Sequence, residues 1–114
     1  MINVIGLDVE AGLAFCNGKE DFYLRMLKLF ADGKHDFVNE FRTAFENGDS
    51  ETTERLAHSL MGMSGTIGAI DVQVKSAALE LALMNKEETS QINTCLSEVG
   101  LALTPLINGI VDLN

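Results

Sequence analysis

The chain has 114 residues, 46% of them apolar, with eight Lys and Arg against seventeen Asp and Glu. This length suits one domain with an ordinary hydrophobic core, and we expect residues 1–114 to form it. The net charge of −9 opposes the phosphate backbone of DNA and RNA and therefore argues against nucleic-acid binding.

Cysteine usage and the apolar segments limit the class of protein further. Cys16 and Cys95 form neither a CxxC pair nor a Cys/His cluster, so we predict reduced, packed thiols and no metal site. The N-terminus lacks the basic and long apolar regions of a signal peptide. The longest mostly apolar run, residues 100–111, is too short to cross a bilayer. We therefore expect a cytoplasmic domain with no membrane insertion.

Apolar residues at spacings of three and four, together with a single proline, predict helices nearly throughout the chain. Asp8 caps a short first helix, and Asn17-Gly18 stops it. A long second helix begins near Glu20 and ends at residues 47–48, with a bend at Gly33. The apolar positions of this second helix are Phe22, Met26, Leu29, Phe30, Phe37, Phe41 and Phe45.

Two further helices follow short turns. Asp49 or Ser50 caps a third helix, which runs to about Ile67 before Gly68. Asp71 caps a fourth helix, whose apolar contacts come from positions 72, 78, 79, 82 and 83.

The last predicted helix begins near Thr89 or Ser90. Pro105 lacks a backbone N–H and should kink or break it. Four helices of useful length with short connections predict an all-α fold. It should be an antiparallel four-helix bundle with a short N-terminal covering helix.

The third predicted helix carries a histidine on its exposed face. Leu56, Leu60, Met63 and Ile67 are spaced by four, three and four residues, and we predict that they form the buried stripe. At about 100° per residue, His58 lies roughly 160° from Leu60 and therefore faces solvent.

Two glycines share this exposed face with His58. Gly62 follows it by one turn and Gly65 by two, and each costs the helix about 1 kcal/mol relative to alanine. A cleared surface would let the backbone of another protein approach the imidazole closely. Arg55 and Met61 lie on the same face, and Met61 adds deformable apolar surface of the kind that interfaces use.

The alternative interpretation is that His58 is an ordinary solvated histidine and the glycines are tolerated defects. His35 illustrates that case, because it also lies opposite the apolar stripe of its helix. Its neighbours are Lys34, Asp36 and Asn39. We interpret His35 as a surface residue and keep His58 as the candidate.

An exposed imidazole is mostly neutral at pH 7 and offers a lone pair for nucleophilic attack. The sequence shows no P-loop, kinase signature or catalytic triad to accompany it. A di-iron bundle needs two Glu-x-x-His motifs, but Arg55 stands three residues before His58. An independent hydrolytic or metal-dependent enzyme is therefore the weakest interpretation, and a partner must supply the remaining chemistry.

Around His58 the sequence resembles a histidine-containing phosphotransfer (HPt) domain. The pattern of that family is His-x-Leu-Lys-Gly, then a small-residue stretch ending in Gly-Ala, then a helix ending in Leu-Glu. Here it occurs at residues 58–62, 67–69 and 79–80, with further likeness at 6–13 and 22–30. The resemblance covers roughly residues 6–110.

The resemblance implies that His58 accepts a phosphoryl group from the aspartyl phosphate of a response-regulator receiver domain and passes it to another receiver. Gly62 would allow close approach, Leu60 would support the histidine from the core, and Arg55, Met61 and Gly65 would complete the docking face. The implied partners are receiver domains and a hybrid sensor histidine kinase. Magnesium is expected in the receiver, so the chain would need no cofactor of its own. We expect the chain to be a monomeric phosphohistidine carrier.

One position departs from the family pattern. Lysine usually stands three residues after the histidine, where it offsets a phosphoryl charge of about −1.5 to −2. Met61 occupies that position here, and Arg55 is a candidate substitute cation. The alternative function is an HPt-shaped docking module that binds a receiver or kinase without phosphotransfer.

Overall fold

The computed structural model describes residues 2–113. These residues form helices and no strands, which confirms the predicted all-α class. In chain order the helices are α1 (Val9–Phe15), α2 (Glu20–Lys34), α3 (Phe37–Glu46), α4 (Ser50–Ile67), α5 (Ile70–Met84) and α6 (Thr89–Val111).

The predicted antiparallel four-helix bundle is confirmed, with α2 and α3 together as its first member. Helix α4 packs on α2, α3 and α5, and α6 closes the bundle by packing on α5, α2 and α3. The molecule measures 43 × 22 × 20 Å. Helix α1 lies across α4 and α2, and the N-terminal residues Ile2 and Val4 are also buried.

The prediction of a single long second helix is wrong. Helix α2 ends at Lys34 and α3 begins at Phe37, whereas Gly33 stays helical. Asp36 leaves helical geometry, with φ −105° and ψ 15°. Its carboxylate accepts a hydrogen bond from Asn39 Nδ2 at 2.9 Å. The break therefore falls beside Asp36, a residue of low helix propensity, and not at the glycine.

Most of the predicted helix ends are confirmed. Asp8 and Asp49 each accept a hydrogen bond at 3.1 Å from the backbone N–H three residues later. Gly68 ends α4 with a φ of 87°, which glycine adopts without strain. The capping role of Asp71 is wrong, since Ala69 occupies the N-cap of α5. Asp71 lies in the first turn, where a carboxylate still interacts favourably with the helix dipole.

Helix α6 is continuous from Thr89 to Val111, so the predicted break at Pro105 does not occur. Pro105 cannot donate a hydrogen bond to the Leu101 carbonyl. Leu101 is 78% exposed, so water can reach this side of the helix. Among the described residues, α6 is the one helix that is long and apolar enough to cross a membrane, judged by length and composition alone. Its apolar side chains also supply much of the bundle core, which accounts for this composition.

The buried face of α4 differs from the predicted stripe. It consists of Thr53, Ala57, Leu60, Ser64 and Ile67. Met63 was predicted to be buried but is 39% exposed, and Leu56 is half-buried. Thr53, Ala57 and Ser64 are small or polar, so apolar spacing did not identify them as part of the buried face.

The core of α2 contains two residues that the apolar spacing missed, Tyr23 and Leu27. The Tyr23 hydroxyl donates a hydrogen bond of 2.7 Å to the Ile67 carbonyl at the end of α4. Burial, helped by the nearby Cys16 and Asp8, raises the pKa of Tyr23 to about 12. Besides Met63, three residues that were predicted to make apolar contacts are exposed: Phe22, Leu29 and Ala78.

Both cysteines are free thiols, as predicted. Cys16 is buried, and its Sγ lies 3.4 Å from Met26 Sδ. Cys95 is half-buried, and desolvation raises the pKa of its thiol.

Candidate functional site

His58 projects from the middle of α4 into solvent, as the helical periodicity predicts. Its side chain is 69% exposed. Leu60, two residues later on the opposite side of α4, is fully buried and anchors the helix in the core. The imidazole is therefore held on a rigid element but remains accessible to another protein.

Glu80 of α5 holds one ring nitrogen of this histidine. His58 Nδ1 donates a hydrogen bond to Glu80 Oε2 at 2.8 Å, and the Glu80 side chain is only 20% exposed. An ionised carboxylate can only accept hydrogen bonds, so the pairing places the ring proton on Nδ1 and leaves the lone pair on Nε2. The sequence motif included Glu80, but helical spacing alone did not reveal its contact with His58.

The two glycines beside the histidine have different surroundings. A methyl group added at Gly62 would meet no atom within 4 Å. At Gly65 it would lie 2.5 Å from Nε2 of Gln73, which lies over this part of α4. The surface at Gly62 is therefore open, whereas Gly65 makes room for a side chain of α5. A docking role for Gly65 stays a prediction.

An apolar cavity of about 390 Å³ lies between α2 and α4, next to the histidine. It accounts for the exposure of Leu29 and Met63, which the sequence predicted to be core. Its lining residues are Met26, Leu29, Phe30, His58, Ser59, Gly62, Met63, Thr66 and Ile67.

Of the four predicted docking residues, Gly62 lines this cavity, whereas Arg55, Met61 and Gly65 do not. Met61 is half-buried. Arg55 lines a separate groove between α3 and α4, together with Asp36, Glu40 and Asp49. Hydrogen bonds from the side chain and backbone of residue 52 hold the pKa of Asp49 below its usual value, and the Arg55 charge adds to this effect. The Arg55 charge thus acts on Asp49 in this groove.

A different cation approaches the histidine from α2. Lys34 Nζ donates a hydrogen bond of 3.2 Å to the hydroxyl of Ser59, the residue that follows His58. Burial lowers the pKa of Lys34, and the charge of Glu40 opposes this shift. In the sequence, Lys34 is recognisable only as a neighbour of His35, because its proximity to α4 depends on helix packing.

The site thus offers a nucleophile, a carboxylate that orients it and an apolar surface beside it. Within residues 2–113, no three His, Cys, Asp or Glu side chains come together in a way that could hold a metal ion. The lone pair on Nε2 can attack an electrophile that a partner brings to the surface.

Comparisons with known proteins show the family and the fold of the chain. Residues 25–108 match the family model described as the Hpt domain, a span that includes His58, Gly62 and Glu80. The crystal structure of the HPT domain from the Hpt sensor hybrid histidine kinase from Shewanella is similar, with a TM-score of 0.82 and 24% sequence identity. The alignment covers 95% of this chain and 92% of that chain, and it shows a shared fold. No curated protein matches the chain.

Proposed function

Because the chain belongs to the Hpt domain family, we propose that His58 carries a phosphoryl group between receiver domains of a phosphorelay. The lone pair on Nε2 attacks the phosphorus of a receiver aspartyl phosphate. A nitrogen–phosphorus bond forms, the acyl phosphate P–O bond breaks, and the aspartate leaves as a carboxylate. The observation that carries this proposal is an exposed imidazole whose Nδ1 hydrogen bonds to Glu80.

Glu80 has two roles in this step. Its hydrogen bond keeps the proton on Nδ1 and so keeps Nε2 available. Bond formation at Nε2 makes the ring cationic, and the carboxylate 2.8 Å from Nδ1 offsets that charge. Transfer to a second receiver reverses the same bonds, so the chain acts as a carrier without an independent catalytic site.

The cavity beside His58 suits the receiver domain as a docking partner. Its apolar lining can bury side chains of the partner, and the open surface at Gly62 lets the partner's backbone approach. The receiver supplies the magnesium and the phosphorylated aspartate. A hybrid sensor histidine kinase is the proposed source of the phosphoryl group.

The test is phosphoryl transfer from a radiolabelled, phosphorylated receiver. We expect label on the chain that is lost in acid and retained in base, as a phosphohistidine requires. His58→Gln should abolish labelling, whereas the control His35→Gln should keep it. Label that persists in His58→Gln would refute the assignment of His58.

Docking without phosphotransfer is the second candidate function, favoured by Met61 at the usual lysine position. It predicts that receiver binding is unaffected by His58→Ala but lost in Gly62→Arg. It also predicts no label transfer from any of several receivers. Transfer to His58 would exclude it.

A further inference from the structure

Phosphorylation of His58 would create a local charge that the nearby residues of α4 do not balance. A phosphoryl group carries about −1.5 to −2 charges at pH 7. It would stand close to Glu80, itself a carboxylate, and to the neutral Met61. Arg55 lies in the groove shared with Asp36, Glu40 and Asp49. A cation from another helix would therefore stabilise the phosphorylated form.

Lys34 is positioned to be that cation. It is the last residue of α2, and its ammonium lies 3.2 Å from Ser59 Oγ. Ser59 is adjacent to His58 in the chain and lines the same cavity. An ammonium has three donors, so Lys34 can keep Ser59 and still donate to a phosphoryl oxygen. Its four-carbon stem supplies the reach.

The environment of Lys34 also favours a nearby anion. The residue is half-buried, and burial lowers the pKa of its ammonium. Glu40 opposes this shift and is the carboxylate that acts on Lys34 in the unphosphorylated chain. A phosphoryl group would offset part of the cost of keeping the ammonium charged.

We propose that Lys34, reaching across from α2, stabilises the phosphoryl group on His58 and takes the part that Met61 cannot play. This inference rests on the proposed function, in which His58 is the phosphorylated residue. It assigns a charge-stabilising role to a residue outside the histidine helix. The role depends on the contact of α2 with α4 and not on spacing along the chain.

The experiment uses phosphoramidate, a small phosphoryl donor that modifies histidine without a receiver. Its P–N bond breaks, ammonia leaves, and a new P–N bond forms at His58. We expect Lys34→Gln to slow phosphorylation about three- to tenfold, a size typical of one partly screened charge interaction. Lys34→Arg and the control Lys28→Gln, which removes an exposed lysine of the same helix, should stay near the wild-type rate.

Two further variants separate charge from packing. Ser59→Ala removes the hydrogen-bond partner but keeps the ammonium, so its rate should stay near wild type. Adding Met61→Lys to Lys34→Gln should restore the rate. In the wild type, the Lys34 ammonium resonance should shift on phosphorylation in an NMR spectrum, while that of Lys28 should not.

The possible failures are distinguishable. If wild type and Lys34→Gln are phosphorylated at equal rates, the role of Lys34 alone is overturned. The same holds if Ser59→Ala and Lys34→Gln lose the same fraction of the phosphorylation rate. Labelling of His58 by phosphoramidate, but by none of several phosphorylated receivers, would count against the proposed relay function alone. No labelling of His58 by either donor would overturn both.

Discussion

Glu80 Oε2 lies 2.8 Å from His58 Nδ1, although the two residues are 22 positions apart and on different helices. The carboxylate is the less exposed partner, so the buried side of the pair fixes the orientation of the exposed ring. This contact decides which nitrogen is protonated and which is free to attack.

Replacing Glu80 tests the orientation of the ring. Glu80→Gln removes the charge and lets the amide accept from or donate to Nδ1, so the population with a free Nε2 should fall. We expect phosphorylation of His58 to slow about tenfold, equivalent to ~1.4 kcal/mol. Nitrogen NMR of the imidazole should show the tautomer change, with Glu54→Gln as the control. An unchanged tautomer and rate would remove Glu80 from the mechanism.

The two site glycines should respond oppositely to alanine. Gly62→Ala should stabilise the chain by about 1 kcal/mol, because alanine favours the helix and meets no neighbour. Gly65→Ala should lose that benefit, since Gln73 occupies the space. Urea unfolding measures both, and Gln73→Ala should restore the stabilising effect of Gly65→Ala. If the effects of Gly65→Ala and Gln73→Ala on the free energy of unfolding are additive, the two residues are not in contact.

Burial of the Tyr23 hydroxyl should make stability fall at high pH. The folded-state pKa is raised from 10.0 to about 12, so the unfolded chain loses this proton at a lower pH. The contribution is therefore complete below pH 10 and disappears as pH rises through 12. Tyr23→Phe should cost about 1–3 kcal/mol at pH 7 by leaving the Ile67 carbonyl unpaired, and should flatten this pH dependence. If the free energy of unfolding falls equally steeply with pH between 10 and 12 in the wild type and in Tyr23→Phe, the prediction is wrong.

Restoring a lysine at position 61 tests whether Met61 is a deficit. Met61→Lys adds a cation one turn from His58, and we expect phosphorylation to rise by up to about fivefold, or ~1 kcal/mol. Met61→Leu keeps the apolar character and serves as the control. If neither the rate nor the phosphohistidine lifetime changes, the methionine is not limiting.

The cavity between α2 and α4 should govern receiver binding. Leu29 lines the cavity and is 68% exposed, so Leu29→Glu should leave stability nearly unchanged. We expect it to weaken receiver binding at least tenfold, because it places a charge in an apolar interface. Leu101→Glu on α6, where the residue is 78% exposed, is the matched control. Calorimetric titration would detect the difference, and equal affinities would place docking elsewhere.

Several features could be predicted because their causes are local. Apolar spacing indicates helices, Asp8 and Asp49 can cap only the residues that follow them, and Gly68 ends a helix through its own backbone freedom. The exposure of His58 also follows from its angle to Leu60. Positions that depend on a neighbouring helix were less predictable. Met63 and Leu29 have apolar spacing but line an open cavity, and the small residues of α4 could not be recognised as its buried face.

The sequence by itself determined the helical class, the solvent-facing histidine and the family resemblance, since these depend on periodicity and on short motifs. Only the tertiary structure decided which groups surround that histidine. Glu80, Gln73 and Lys34 come from α5 and α2, and their distances from α4 depend on how the helices pack. Contacts between residues far apart in the chain are set by the whole core, so no local pattern specifies them. The chemistry at Nε2 therefore depends on side chains that only the folded bundle brings together.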